Sequence, residues 1–299
     1  MDWDDLRIFL AVARAESLSG AGRRLGMDAS TVGRRIARLE QAVGAGLFAK
    51  TPQGYALTPA GARLVPAAES AEQAAAAAID GLARDTGITG QLRIGAPDGC
   101  ANFILPQVAR DLCRNHPGLE VQIVALPRVV NLSKREADMA IAVSPPDTGR
   151  LVVQRLTDYT LHLAAHDDYL AAHPPIRALS DLRGHQMIGY IPDMIFDREL
   201  DYLSATGVDA AQISSNSVAV QMQAIRAGAG LAIAHDFALP FVPGVRVVLP
   251  GDIALTRSFW LIRHADDRAS RRMTVLADEL ATGIRAEVAR LQAQAHRGT

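Results

Sequence analysis

The sequence predicts a multidomain protein: an α-rich winged helix-turn-helix, then a long linker helix, then a two-lobed α/β domain. Three observations predict it: short amphipathic helices joined by a glycine turn, an alanine-rich helical repeat, and apolar strands alternating with helices beyond residue 90. The 299 residues suggest about two domains, at roughly 150 residues each. With 49% apolar and 21% charged residues, the chain can bury a sizeable core.

Composition excludes several classes of protein. No apolar run approaches the ~18 residues that a membrane span needs. The segment Met1–Asp5 is acidic where a secretory signal is basic, and two cysteines cannot build a disulfide framework. We therefore expect a cytoplasmic protein with no membrane partner.

The second and third of the first three predicted helices form a helix-turn-helix. Asp2 can cap a first helix that ends near Ser17, and a second, rich in small residues, covers residues 19–25 before the turn at Gly26. Asp28 can cap a third helix. The apolar residues of this third helix are spaced by four, three and four: Val32, Ile36, Leu39 and Val43. Two short helices joined by a glycine turn, the second one basic, are typical of DNA-binding modules.

Charge is distributed unevenly along the chain. Residues 20–63 contain seven basic and two acidic residues, a net charge of +5, so the other 255 residues carry −6 of the overall −1. A basic module on an acidic body is typical of a nucleic-acid reader, although an arginine-rich solvated surface would look the same. The candidate DNA-binding residues are Ala29, Ser30, Thr31, Gly33, Arg34, Arg35 and Arg38 of the third helix, with Lys50 and Gln53 beyond it.

A wing and a long helix follow. Residues 47–57 predict two short strands around a Pro-Gln-Gly turn, and Thr58 with Pro59 can open the next helix. That helix carries a heptad-like seam, which predicts a dimerisation arm. The candidate dimerisation residues are Leu64, Ala68, Ala71, Ala75, Ala78 and Leu82. Residues 87–90 predict a hinge.

A dense, ordered set of motifs spans residues 18–64: Leu25-Gly26-Met27-Asp28-Ala29-Ser30-Thr31-Val32-Gly33-Arg34-Arg35-Ile36, Leu39-Glu40, Gly46-Leu47-Phe48 and Leu57-Thr58-Pro59-Ala60-Gly61. This set resembles the DNA-binding module of LysR-type transcriptional regulators. The family often has Gln-Pro in place of Ala29-Ser30, Ser in place of Gly33, and arginines in the wing. These differences bear on the operator sequence and the wing contacts. The resemblance implies a homodimer, and usually a homotetramer.

The C-terminal segment alternates strands and helices, which predicts an open, largely parallel sheet. We expect strands at residues 92–96, 120–126, 139–143, 159–164, 187–190, 231–234 and 258–263, and helices at 102–114, 129–135, 218–226 and 269–292. This segment resembles the effector-binding domain of the same family, which is similar to periplasmic binding proteins. The segment Ala227-Gly228-Ala229-Gly230-Leu231-Ala232-Ile233 carries part of that resemblance.

The resemblance divides the chain into residues 1–58 (DNA-binding), 59–89 (linker and hinge) and 90–299 (effector-binding). Lobe I covers about 90–159 and 261–299, lobe II about 160–260, and the strands pass between them near Tyr159 and Trp260. The residues that face the effector cleft, carried over from the family, are Asp98, Gly99, Cys100, Pro127, Ser144, Ile191, Ser217 and Ala229. The carboxyl ends of strands also select several of these positions.

Asp98 stands where the family often has a hydroxyl that binds an effector carboxylate. A carboxylate there would repel an anionic ligand. The hypothesis is that the effector is not a simple acid, or that Asp98 points away. A capping aspartate at a helix start is the alternative.

Other candidate sites are weak. His162 and His166 straddle a predicted strand end, so we expect no metal site there, and no Gly-x-Ser-x-Gly, His-Glu-x-x-His or P-loop motif occurs. Cys100 and Cys113 would lie roughly 20 Å apart on one helix, too far for a disulfide, and Cys113 is expected to be buried.

The sequence therefore predicts a LysR-type regulator without catalytic residues or cofactor. Its expected partners are operator DNA, a small-molecule effector, further copies of itself and the transcription machinery. The alternatives are a small-molecule-binding or enzymatic α/β protein with an accessory helical domain, and a DNA-architectural protein without a ligand.

Overall fold

The computed structural model describes residues 2–52, 54–82, 87–125, 137–146, 151–265, 267 and 270–297. The chain forms two compact units: an N-terminal unit of Met1–Asp85 with Asp266–Arg271, and a C-terminal unit of Thr86–Ala265 with Arg272–Thr299. The expected helix at 129–135 and the candidate residues Gln53 and Pro127 lie outside the described residues. Within the described ranges, no helix has both the length and the apolar content to cross a membrane.

The N-terminal unit consists of helices and a two-stranded wing. Its elements are α1 (Trp3–Ala15), α2 (Leu18–Leu25), α3 (Ala29–Val43), β1 (Phe48–Thr51), β2 (Gly54–Leu57) and α4 (Pro59–Leu82). Asp2 caps α1 by accepting the Asp4 N–H at 3.1 Å, and Ser17 caps α2 by accepting the Gly20 N–H at 3.2 Å. Asp28 precedes α3, but its side chain makes no cap hydrogen bond.

Glycine allows the close turn between α2 and α3. Gly26 ends α2 at φ +66°, and a Cβ on Gly22 would lie 2.5 Å from the Met27 carbonyl oxygen. Val32, Ile36 and Leu39 of α3 are buried, as predicted.

Val43, the last of the four regularly spaced apolar residues, lies in the last turn of α3 and is 39% exposed.

Aromatic contacts and a glutamate anchor the wing. The Phe48 ring centroid lies 5.3 Å from that of Phe9 in α1 and 6.3 Å from that of Tyr55. Glu40 Oε1 accepts the backbone N–H groups of Leu47 at 2.6 Å and of Phe48 at 3.2 Å. The wing therefore has a fixed position against α1 and α3.

The C-terminal unit is built on a nine-stranded sheet. Its order is β4-β3-β5-β11-β6-β9-β7-β8, with β10 paired to β6. The strands are β3 (Thr89–Ala96), β4 (Gly118–Ala125), β5 (Met139–Ala142), β6 (Leu151–His166), β7 (Met187–Gly189), β8 (Ile213–Ser214), β9 (Leu231–His235), β10 (Val245–Val247) and β11 (Ala254–His264). The helices are α5 (Asp98–Phe103), α6 (Leu105–Asn115), α7 (Asp167–Ala172), α8 (Val218–Arg226) and α9 (Arg271–Ala295).

The sheet is mixed, so the expectation of a largely parallel sheet is wrong. β3 is parallel to β4 and β5, and β7 is parallel to β8 and β9. The long strands β6 and β11 form an antiparallel ribbon at the centre of the sheet, joining the two parallel parts. The register of that ribbon shifts between Phe259 and Trp260. The ring of Tyr159 stacks on Phe259 there at 4.2 Å.

The single helix expected at residues 102–114 is two helices, α5 and α6. α6 begins at Leu105 with Pro106 in its first turn. Proline has no N–H to donate to the preceding turn, so a continuous helix is interrupted here.

Candidate DNA-binding surface and effector site

The exposed face of α3 carries a stripe of four residues, three of them polar. Ser30, Arg34, Ala37 and Gln41 are all exposed and are spaced by four, three and four residues. No ion pair of Arg34 occurs in the described part of the chain. Gln41 and Ala37 are not among the predicted DNA-binding residues, although their spacing repeats the helical period.

Arg35 and Arg38 have a different environment from Arg34. The Arg35 guanidinium donates to the Asp5 carboxylate and, at 2.8 Å, to Asp4. Arg38 donates to both oxygens of Asp5, at 2.9 and 2.7 Å, and to Asp2 at 3.0 Å. These two predicted DNA contacts are therefore engaged by the acidic start of α1.

Asp5 is the centre of this cluster, with its side chain only 2% exposed. Burial by itself raises the pKa of the Asp5 carboxyl, but the hydrogen bonds and charges of Arg38 and Arg35 outweigh burial and hold the pKa below its ordinary value of 3.8. The pKa of each guanidinium is raised, first through its hydrogen bond to Asp5. The cluster fixes α3 against α1.

The other predicted DNA-binding residues differ in exposure. Ala29 and Thr31 are half-buried, and a Cβ on Gly33 would lie 3.3 Å from Leu18 Cδ1. Gly33 therefore faces α2, because a longer side chain would press on that helix. Lys50 in the wing is exposed.

The first half of α4 packs on its own unit. Ala68 is 1% exposed and Leu64 packs against the same core. The Arg14 guanidinium binds Glu72 at 2.8 Å and joins α1 to α4. Leu64 and Ala68 thus contact their own unit where a partner helix was expected.

The remaining residues of the predicted dimerisation seam follow Ala68 along α4. Ala71 and Ala75 are half-buried and Ala78 is exposed, while the Leu82 side chain lies outside the described residues.

Asp98 caps the neighbouring helix α8. Its Oδ2 accepts the Ser217 hydroxyl and the Ala219 N–H, both at 3.1 Å. A carboxylate at a helix N-terminus is favoured by the orphan N–H groups and the helix dipole. Asp98 therefore fills the N-terminus of α8, so it acts as a helix cap, but on another helix than its own.

Two other predicted cleft residues are buried in the core. Gly99 lies against Val218, and Cys100 is fully buried. Burial raises the pKa of the Cys100 thiol. The Cys100 side chain therefore lies in the core, and its contact with an effector, as carried over from the family, stays a prediction.

Cys113 is exposed, so its expected burial is wrong. Both cysteines are free thiols, as the expected separation implied.

A cavity of about 810 Å³ lies in the C-terminal unit, near two of the remaining predicted cleft residues. None of the predicted effector residues lines it. Two of them adjoin lining residues: the Ser144 hydroxyl donates to Asp197, and Ile191 lies between Tyr190 and Pro192 in sequence. Ala229 is half-buried near the start of β9. The cavity could not be predicted from the sequence, because its lining comes mainly from short turns between residues 187 and 209.

The wall of this cavity contains aromatic rings and charged side chains. The rings of Tyr190 and Tyr202 lie 5.7 Å apart, and the Arg257 guanidinium lies 5.9 Å from the Tyr202 ring while it binds Glu199 at 2.7 Å. Burial, and then the charge of Asp98, raise the pKa of Tyr190. Because Tyr190 lines the cavity, the charge of Asp98 acts on at least one residue of the cavity wall.

His162 does not pair with His166. It lies beside Asp236 and His296, and these three side chains form a cluster of potential metal ligands.

Comparisons with known proteins place both units in one family. The family model described as "Bacterial regulatory helix-turn-helix protein, lysR family" matches residues 3–62, and that described as "LysR substrate binding domain" matches residues 85–285. The Mau operon transcriptional activator of Paracoccus denitrificans is 26% identical over 284 residues, which cover 92% of this chain and 94% of that protein.

Solved structures share the fold over most of the chain. CrgA, a LysR-type transcriptional regulator from Neisseria meningitidis, has a TM-score of 0.59 and 23% identity, covering 95% of this chain and 99% of its own. Full-length LysG from Corynebacterium glutamicum with bound effector Arg has a TM-score of 0.66 and 20% identity, covering 95% and 98%. At these identities the structures establish similarity of fold alone.

Proposed function

This chain belongs to the LysR family of bacterial transcriptional regulators, with a DNA-binding and an effector-binding domain, and we propose which of its residues contact DNA, a second copy of the chain and the effector. The exposed stripe of α3 contacts operator DNA, α4 pairs with a second copy, and a small molecule bound near Asp98 changes the geometry of the bound oligomer. The protein acts in the cytoplasm, by binding and without catalysis, together with the transcription machinery.

The DNA contact rests on one observation: Arg34 is exposed with no ion pair among the described residues, whereas Arg35 and Arg38 are paired to aspartates. An arginine can bond to a guanine edge or a phosphate, and a glutamine can bond to adenine. Ser30, Arg34 and Gln41 thus form the reading face, with Lys50 as a wing contact.

Fluorescence anisotropy on the DNA upstream of the protein's own gene tests this contact. Arg34→Ala is expected to weaken specific binding by about 1–3 kcal/mol, the value of a base-contacting arginine. The control is Arg110→Ala, because Arg110 is also an exposed arginine, 64% exposed, but lies in the C-terminal unit. Equal affinities of the Arg34 and Arg110 variants, across a salt titration, would contradict the assignment.

Dimerisation through α4 rests on its small side chains, which let two helices pack closely at Ala71, Ala75 and Ala78. Ala75→Glu is expected to shift the protein toward monomer in light scattering. Ser70→Glu adds the same charge to an exposed position about 140° away around the helix, at about 100° per residue. Dissociation by both variants, or by neither, would argue against this seam.

The effector is a neutral or cationic small molecule. Asp98 already fills the N-terminus of α8, and the cavity beside it is lined by Asp197, Asp201 and Asp209 against Arg198 and Arg257. An added anion would meet the net negative charge of this lining. LysG, a structural neighbour, has bound effector Arg.

Titrating the protein–DNA complex with cationic, neutral and anionic amino acids tests the charge preference. Asp98→Ser removes the carboxylate and leaves a hydroxyl at the N-terminus of α8, so this variant is expected to gain a response to anions. Val220→Ser, at an exposed position in α8, is the control. A wild-type response to anions that Asp98→Ser leaves unchanged would refute the proposal.

A further inference from the structure

Three potential metal ligands meet at the end of α9. His162 lies in β6, Asp236 directly follows β9, and His296 directly follows α9. His162 Nδ1 lies 2.8 Å from Asp236 Oδ1, and His296 Nε2 lies 3.1 Å from Asp236 Oδ2. One ligand atom from each residue lies within 4.8 Å of the other two. The sequence separations of 74 and 60 residues explain why no spacing motif predicts the cluster.

The donor set suits a borderline divalent cation. Two imidazoles and one carboxylate are ligands of Zn²⁺, and a fourth position is then open to water or another ligand. Bonds of about 2.0–2.1 Å place tetrahedral ligand atoms about 3.4 Å apart. Side-chain rotations that change the distances between the ligand atoms by at most about 1.4 Å would bring them to that spacing.

The surroundings favour a cation at this point. Asp236 is 0% exposed, and a buried carboxylate needs a positive charge or several hydrogen bonds. The Thr160 hydroxyl donates to Asp236 Oδ2. This hydrogen bond orients the carboxylate in the way that an outer-shell partner orients a metal ligand. His296 stands at the C-terminal end of α9, where the last carbonyl groups attract a cation.

We propose that His162, Asp236 and His296 bind a divalent cation of the Zn²⁺ class. The ion joins the end of α9 to the neighbouring strands β6 and β9 of the central sheet. This site goes beyond the regulatory function proposed above, and neither proposal depends on the other.

The test uses the full-length chain without a histidine tag, stripped of metal with a chelator. Calorimetric titration with Zn²⁺ and the visible absorption of bound Co²⁺ report binding. His296→Gln keeps an N–H donor for Asp236 but removes the ligand. It is expected to weaken binding more than about 100-fold, since losing even an outer-shell partner costs about 10–100-fold.

Two further variants separate a metal site from a hydrogen-bonded triad. His296→Cys supplies a zinc ligand but no imidazole, and is expected to restore binding. Thr160→Val is expected to weaken binding about 10–100-fold. Because His296 is 56% exposed, its variants should stay folded, which circular dichroism checks.

The matched control is His116→Gln. His116 Nε2 lies 3.0 Å from Glu279, and this pair belongs to no three-ligand group among the described residues. Zn²⁺ binding by this variant is expected to equal that of the wild type. The proposal is overturned if wild type and His296→Gln bind Zn²⁺ equally, or if the His116 variant loses as much affinity.

Discussion

Replacing Asp5 by asparagine tests whether the acidic start of α1 holds α3 in place. The change keeps the shape of the side chain but removes the charge that faces two guanidinium groups. Because Asp5 is buried and central, its loss should destabilise the N-terminal unit far more than the loss of its exposed neighbours.

The contacts set the size of the effect. The Asp5 carboxylate accepts three hydrogen bonds from guanidinium groups, and a hydrogen bond to a charged group contributes about 1.5–3 kcal/mol. Breaking a fully buried ion pair costs about 3–5 kcal/mol. The arginine side chains are 21% and 51% exposed, and Asp2 and Asp4 remain beside them. We therefore expect a loss of about 2 kcal/mol, at the low end of these ranges.

Calorimetry of the full chain measures this loss. A loss of about 2 kcal/mol lowers the melting temperature of a unit of this size by about 8–16 °C. Asp4→Asn, at a position 38% exposed, should cost at most about 1 kcal/mol. Equal losses in the two variants would show that the burial of Asp5 carries no special stability.

The pH dependence has a definite sign. The folded pKa of Asp5 lies below its unfolded value of 3.8, so its contribution is complete above 3.8 and is lost as the pH falls through the folded pKa. The difference in the free energy of unfolding between wild type and Asp5→Asn should therefore be constant near pH 7 and become smaller in acid. A gap that widened below pH 3.8 would contradict this assignment.

Three further predictions concern the turn, the wing and the thiols. Gly22→Ala should destabilise the N-terminal unit by about 1–3 kcal/mol, because its Cβ would press on a backbone carbonyl, whereas Gly46→Ala meets no atom within 4 Å and should melt like wild type. Glu40→Gln should weaken the wing, since the amide accepts the two backbone N–H groups less strongly than the carboxylate; faster hydrogen exchange there would register it, and unchanged exchange would contradict it. In the native protein, Cys113 should react with a thiol reagent and Cys100 only after unfolding, so labelling of both at the native rate would refute the assigned burial.

Much of the fold follows from local patterns. The bounds of α8 agree with the predicted residues 218–226, and α2, β9 and the wing differ from expectation by a residue or so, because caps and apolar periodicity act over short distances. The antiparallel ribbon of β6 and β11 could not be predicted in this way. Its pairing joins residues about a hundred positions apart. The sequence of one strand does not show whether that strand pairs with its neighbour in a parallel or an antiparallel direction.

The candidate sites divide in the same way. The position of Arg34 on the outer face of α3 follows from the helical period alone. The pairing of Arg35 and Arg38 with Asp5 depends on how α1 crosses α3, some thirty residues away in sequence. Likewise, the sequence alone shows that Asp98 departs from the family pattern, but its bond to Ser217 depends on how two distant helices pack.

The sequence by itself determined the family, the helix-turn-helix, the wing and the alternation of strands and helices. These properties depend on residues a few positions apart, where spacing and backbone preference decide the outcome. Only the tertiary structure decided which arginines of α3 are paired to aspartates, which helix Asp98 caps, and that His162, Asp236 and His296 meet. The physical reason is that charge pairing and metal ligation act over a few ångströms in space, and packing alone brings distant residues that close.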